Sequence, residues 1–116
     1  MRIELKGIFS TELNEPEIPD DPGCCAVNMF ADIGIKDSEG ADQFNFLVVT
    51  PRFLVAHPEI RWGRGYLLMP EFSWLETHRM IERHVSSISV SSWEEAAKAL
   101  CHYMEWEFEN YQPYKG

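Results

Sequence analysis

The sequence predicts an α+β domain, a mostly antiparallel four-stranded sheet with helices packed on one face, in the order β-β-β-α-β-α-α. Three features of the chain predict it. Short apolar runs broken by proline, glycine and acidic turns fill the first fifty residues. Two serines, Ser73 and Ser92, each stand three residues before a glutamate, Glu76 and Glu95, the pattern of a capping box at a helix start. Apolar side chains at helical spacing follow both boxes.

In order, residues 2–10 read as a first strand, with Ile3, Leu5 and Ile8 set against Arg2, Glu4 and Lys6. Thr11 to Gly23 carries Pro16, Pro19 and Pro22 among five acids and reads as a mobile loop. Cys24 to Ile35 is a second strand, residues 36–40 a turn, and Gln43 to Thr50 a third strand. The short turn predicts an antiparallel hairpin. Thr50 followed by Pro51 gives an N-cap and a proline at the first helical position, so a short helix should open there and stop before Pro58. Ile60 to Gly65 is a loop, and Tyr66 to Met69 a fourth strand ended by Pro70. Trp74, His78, Ile81 and Val85 then form one apolar stripe on the first long helix. On the last, Trp93, Ala97, Leu100, Met104, Phe108 and Tyr111 recur at steps of three and four. They predict a helix from Ser92 to Tyr111, roughly 28 Å long.

At 116 residues, with 45% apolar side chains, the chain is one domain, 1–116, able to build a core without disulfides. No apolar run approaches the roughly 20 residues a membrane span needs, and the N-terminus has no signal-peptide core. A cytoplasmic protein is expected. Its three cysteines fit neither a disulfide framework nor a zinc module, because Cys24 and Cys25 are adjacent and Cys101 is left over.

The net charge is −9. Residues 1–42 hold ten acids and three bases, residues 43–92 four acids and five bases, and residues 93–116 five acids and two bases. A field of this sign repels nucleic acid and anionic membranes and favours basic partners, although it also serves solubility alone. Catalytic patterns are missing. His78 and His84 are six positions apart on a helix and do not share a face, with His78 in the apolar stripe as a hydrogen-bonded core histidine. His57 ends a helix, and His102 lies on the exposed side of the last one. There is no metalloprotease, deaminase or nucleophile-elbow motif, and Gly63-Arg64-Gly65 lacks the rest of a phosphate loop. Neither an enzyme nor a bound metal or cofactor is expected.

The end of the last helix breaks local rules. Glu105 and Glu109 would be like charges on one face, close to the negative end of the helix dipole. Trp106 would face outward among them, and Glu107 inward. Two arrangements are compatible with this. Either Trp106 is an interface anchor ringed by acids, or it packs under another segment while Glu107 pairs with an arginine such as Arg52 or Arg64.

The residues from Phe46 to Leu54, then Gly63 to Leu68, then Trp93-Glu94-Glu95 and Trp106-Glu107-Phe108-Glu109-Asn110-Tyr111 resemble the Immunity protein 8 family in order and spacing over nearly the whole chain. The resemblance implies an antidote of a polymorphic-toxin or contact-dependent inhibition system. Such a protein binds the C-terminal toxic domain encoded beside it, without cofactor or turnover. The acidic surface then points to a basic partner, a nuclease whose substrate cleft or neighbouring exosite is blocked. The expected contacts are Glu105, Trp106 and Glu109 first, the loop acids Glu12, Glu15, Glu17, Asp20 and Asp21 second, and the turn acids Asp37, Glu39 and Asp42 third. The alternative is a protein-interaction module without a toxin, acting through a sheet edge or as a homodimer. A small hydrolase using His57 or His102 is a third.

Overall fold

The strand Asp42–Val49 is the hub of the molecule. The computed structural model describes residues 1–109. Its elements are β1 (Ile3–Ser10), β2 (Ala26–Ile35), β3 (Asp42–Val49), α1 (Pro51–Ala56), β4 (Tyr66–Leu68), α2 (Trp74–Ser86), α3 (Trp93–Leu100) and β5 (Glu105–Trp106). Strands β1, β2 and β3 run antiparallel in that order. On the far side of β3, β4 joins in parallel at Leu47–Val49, and β5 pairs antiparallel at Phe44–Asn45. The architecture is the α+β arrangement expected, with a fifth strand added after the last helix.

Alternation along the strands builds the core. Val27, Met29, Ala31 and Ile33 of β2 and Phe44, Phe46 and Val48 of β3 are buried on one face. Against them pack Trp74, Ile81 and Val85 of α2 and Ala96, Ala97 and Leu100 of α3. In β1 the register shifts between Leu5 and Gly7, leaving Lys6 as an extra residue. The bulge reverses parity. That is why Ile8 faces the same core as Ile3 and Leu5 although it is three residues from Leu5. The β2–β3 turn folds tightly over Gly34, where an added Cβ would lie 2.1 Å from the Gly40 carbonyl oxygen. Only glycine fits there.

Each predicted cap forms. Thr50 Oγ1 accepts from Phe53 N at 3.3 Å to open α1, and also from Cys25 N at 3.0 Å, tying that helix to the start of β2. Ser73 and Ser92 accept from Glu76 N and Glu95 N at 3.1 and 3.2 Å. The Glu95 carboxylate turns back to Ser91 N rather than to its own cap residue.

Three expectations are corrected here. The last helix stops at Leu100 instead of Tyr111, and Asn110 and Tyr111 lie outside the described residues. After Leu100 the chain tightens into turns, with His102 N bonded to Ala99 O and Tyr103 N to Leu100 O, and then enters β5. A helix carried on to Glu109 would have set Glu105 and Glu109 together at its negative end. Pairing with the free edge of β3 avoids that repulsion and satisfies backbone groups of both segments. In α2, the buried place expected for His78 belongs to Thr77, whose hydroxyl donates to Ser73 O at 2.7 Å. His78 sits a third exposed, with Nε2 3.4 Å from Glu15 Oε1. The loop of residues 11–23, expected to be mobile, is anchored. Trp74 Nε1 donates to Glu17 O at 2.6 Å, and Phe72 N donates to Pro22 O at 2.8 Å.

Candidate partner-binding surface

Helices α2 and α3 cover one face of the sheet; the opposite face is the candidate surface. Register places its residues in rows. Phe9 pairs with Phe30, Phe30 with Asn45, and Asn45 with Glu105, one residue each from β1, β2, β3 and β5. Phe9 and Phe30 stack with ring centroids 5.2 Å apart, and the Phe9 ring is left exposed. Asn45 Nδ2 donates to Asn28 Oδ1 at 2.7 Å and to Met29 O at 2.9 Å, so the polar centre of the face is held rigidly. In the next row Gly7 meets Asp32, and Asp32 meets Gln43. Gln43 in turn exchanges bonds with Glu107: Glu107 N donates to Gln43 O at 3.0 Å and Gln43 N to Glu107 Oε1 at 2.9 Å. Partial burial, then the charge of Glu107, pushes the Asp32 carboxyl above its ordinary range. Three carboxylates, those of Asp32, Glu105 and Glu107, therefore share the open face with an exposed Phe9 and a half-buried Phe30.

Arg64 fixes β5 and thus Glu105. Its Nε donates to Cys101 O at 2.7 Å, Nη2 to Met104 O at 3.0 Å and Nη1 to Glu109 Oε2 at 2.8 Å, while Nη2 also meets the second Glu109 oxygen. One guanidinium thus takes up the carbonyls freed where α3 ends and forks onto a carboxylate. The hydrogen bond from Arg64 holds the Glu109 carboxyl below its ordinary range, against the opposing effect of burial. Gly65, at φ 86°, carries the chain from this clamp into β4, and its N–H donates to Tyr103 O at 3.1 Å. The arginine anticipated as an internal partner for Glu107 is real, but it serves Glu109.

The expected contact residues are dispersed. Trp106 is half-buried, stacked on Phe44 at 6.4 Å, and donates its indole N–H to Asp42 Oδ2 at 2.9 Å. The same oxygen accepts from Trp93 Nε1 at 2.9 Å. Trp106 and Asp42 are thus engaged with each other, and Glu109 with Arg64. Glu105 is exposed on the open face. In the acidic loop, Glu12 Oε2 accepts from Asn28 N at 3.3 Å, Glu17 Oε1 from Asn14 N at 2.9 Å, and Glu15 faces His78. Asp20 and Asp21 are exposed. Asp37, at φ 64°, and exposed Glu39 occupy the β2–β3 turn. Only Glu105 of the first group remains on the open face.

Sequence reasoning passed over Asp32 and the loop of residues 57–65. Asp32 was hidden by its place in an apolar strand, although period-two alternation puts it on the solvent side with Phe30. In the loop, Ile60 is fully exposed and Trp62 91% exposed. Two large apolar residues in a turn with no periodic partner were the available signal.

Among the described residues, no group of three His, Cys, Asp or Glu side chains is placed to hold a metal ion, and no helix is long and apolar enough to cross a membrane. No curated protein and no solved structure matches this chain. The family model described as Immunity protein 8 matches residues 3–111, nearly the whole chain. By that match, the chain belongs to the Immunity protein 8 family.

Proposed function

We propose that this protein is a stoichiometric antidote that binds a cognate toxin domain, a nuclease with a basic cleft, and inhibits it by occlusion without turnover. Membership of an immunity protein family supports the antidote role. The observation that favours a basic partner is the placement of Asp32, Glu105 and Glu107 beside the Phe9–Phe30 pair on the uncovered sheet face. An aromatic centre with carboxylates around it suits a cationic protein surface, since the rings supply contact area and the acids supply steering. The overall charge of −9 adds a long-range attraction that salt screens. The loop acids Glu12, Glu15, Glu17, Asp20 and Asp21 and the turn acids Asp37 and Glu39 extend the field around this face. Glu109, Trp106 and Asp42 act indirectly, by holding β5 and the Glu105 carboxylate in place.

Co-expression with the toxin domain encoded beside this chain tests the proposal. Cells producing the toxin domain should survive only when the chain is present. The Glu105→Lys, Glu107→Lys double variant should bind with association slowed about tenfold at low salt. Death of cells despite a soluble, folded antidote would refute the antidote role for that pair. Unchanged association by the double variant would refute the sheet face as its acidic contact.

A further inference from the structure

The segment between α1 and β4 exposes more large apolar side chains than any packing role explains. Ile60 is fully exposed, Trp62 is 91% exposed, Val55 of α1 is 81% exposed, and Leu68 of β4 is 58% exposed. The loop tip projects into open space, for a Cβ placed on Gly63 would meet no atom within 4 Å. Yet the loop is braced. The Arg61 guanidinium lies 4.4 Å over the Tyr66 ring, its Nη1 pairs with Glu59 Oε1 at 3.1 Å, and its Nε donates to Trp62 O at 3.2 Å. Tyr66 OH donates to the same Glu59 oxygen at 3.3 Å, and Tyr66 N donates to Gly63 O at 3.3 Å. A groove of about 370 Å3, lined by Leu54, Pro58, Glu59, Arg61, Tyr66 and Leu68, runs beneath the loop.

Exposed tryptophan on a pre-arranged backbone is the hallmark of a binding anchor. Little ordering remains to be done on association, and the indole brings the largest apolar area of any side chain. Tyr66 pairs with Leu47 on the sheet face already described, and Glu105 reaches within 4 Å of the Cβ position of Gly65, so the loop and that face are continuous. Resting on the antidote reading above, we infer that Trp62 and Ile60 form the apolar anchor of the interface, inserting into a hydrophobic slot beside the toxin's cationic surface. Charge selects this occupant over a second copy of the chain. Apposing two molecules of charge −9 across a face bearing Asp32, Glu105 and Glu107 would be repulsive, whereas a basic toxin is attracted to the same ground.

The test is a titration of the toxin domain encoded beside this chain into the full-length protein and its Trp62→Ala and Ile60→Ser variants. Both variants should keep the wild-type urea midpoint, because neither side chain is buried. Trp62→Ala should weaken binding at least about thirty-fold, with the salt dependence of affinity unchanged. Glu105→Lys should instead flatten that salt dependence. Wild-type binding together with undiminished binding by Trp62→Ala would overturn the anchor and leave the antidote reading standing. Absence of binding by the wild-type protein would overturn the antidote reading itself. A wild-type dimer that Trp62→Ala dissociates would overturn the basic partner and assign the loop to self-association.

Discussion

Asp42 and Arg64 join segments far apart in sequence, and each does so through one side chain. A single Asp42 oxygen accepts from both Trp93 and Trp106 at 2.9 Å. Asp42→Ala would leave two partly buried indole N–H groups without an acceptor. It should cost about 2–3 kcal/mol in urea unfolding, while Asp42→Asn, which keeps an acceptor oxygen, should cost about 1 kcal/mol. Arg64 reaches two carbonyls and the Glu109 carboxylate together. Lysine has no planar fork, so Arg64→Lys should lose about 1–2 kcal/mol by the same measurement. The Glu109 pair also carries a pH signature. Its folded carboxyl titrates below the ordinary value of 4.5, so the unfolded chain takes up the proton first. The contribution is complete above about that pH and is lost as pH falls through the folded value. Arg64→Met should make acid unfolding less steep there. At this scale the sequence is legible where chemistry is local. The caps at Thr50, Ser73 and Ser92 depend on neighbours three residues away and are readable. The roles of Asp42 and Arg64 depend on partners 37 to 64 residues distant and are not.

At the scale of elements, helix α3 is the instructive case. Its apolar spacing continues to Tyr111, and periodicity alone cannot tell a helix from a turn followed by a short strand that reuses the same residues. Met104 is buried in both readings, and Trp106 gains a place on Phe44 only in the second. The crowding of Glu105, Glu107 and Glu109 was the visible sign that the helix would not continue. Helix α2 holds a second consequence. His84 lines an apolar cleft with Phe46, Leu67, Met80, Tyr103 and Met104, and its ring meets Tyr103 edge-on at 4.5 Å. Its Nε2 is buried with no hydrogen-bond partner among the described residues. Burial lowers its pKa, against a backbone hydrogen bond at Ala99 that works the other way. The unfolded chain therefore binds a proton first as pH falls. The neutral ring's contribution is whole above the ordinary value of 6.5 and declines as pH drops through the folded one. His84→Leu should flatten the stability profile on the acid side of that value, measured by urea midpoints across pH.

For the whole molecule, the sheet and its helical layer were readable because β-alternation and two capping boxes agree on one fold class. The surface was less readable. Net charge gives the sign of the protein's own field, but only register shows that Glu105 and Glu107 share a face with Asp32. A continued helix would set Glu105 beside Glu109 and turn Glu107 inward. The same register joins the phenylalanine pair and the carboxylates on the side of the sheet away from α2 and α3, and Tyr66, paired with Leu47, ties the base of the Trp62 loop to the sheet edge beside them. The most direct measurement is calorimetric titration of the purified chain with a cognate toxin domain at low and at high salt. A one-to-one complex whose affinity falls as salt rises, with weaker binding and a flatter salt dependence in Glu105→Lys, is the expected result. A folded chain that forms no complex at either salt, or one whose binding ignores both salt and Glu105, would contradict the account.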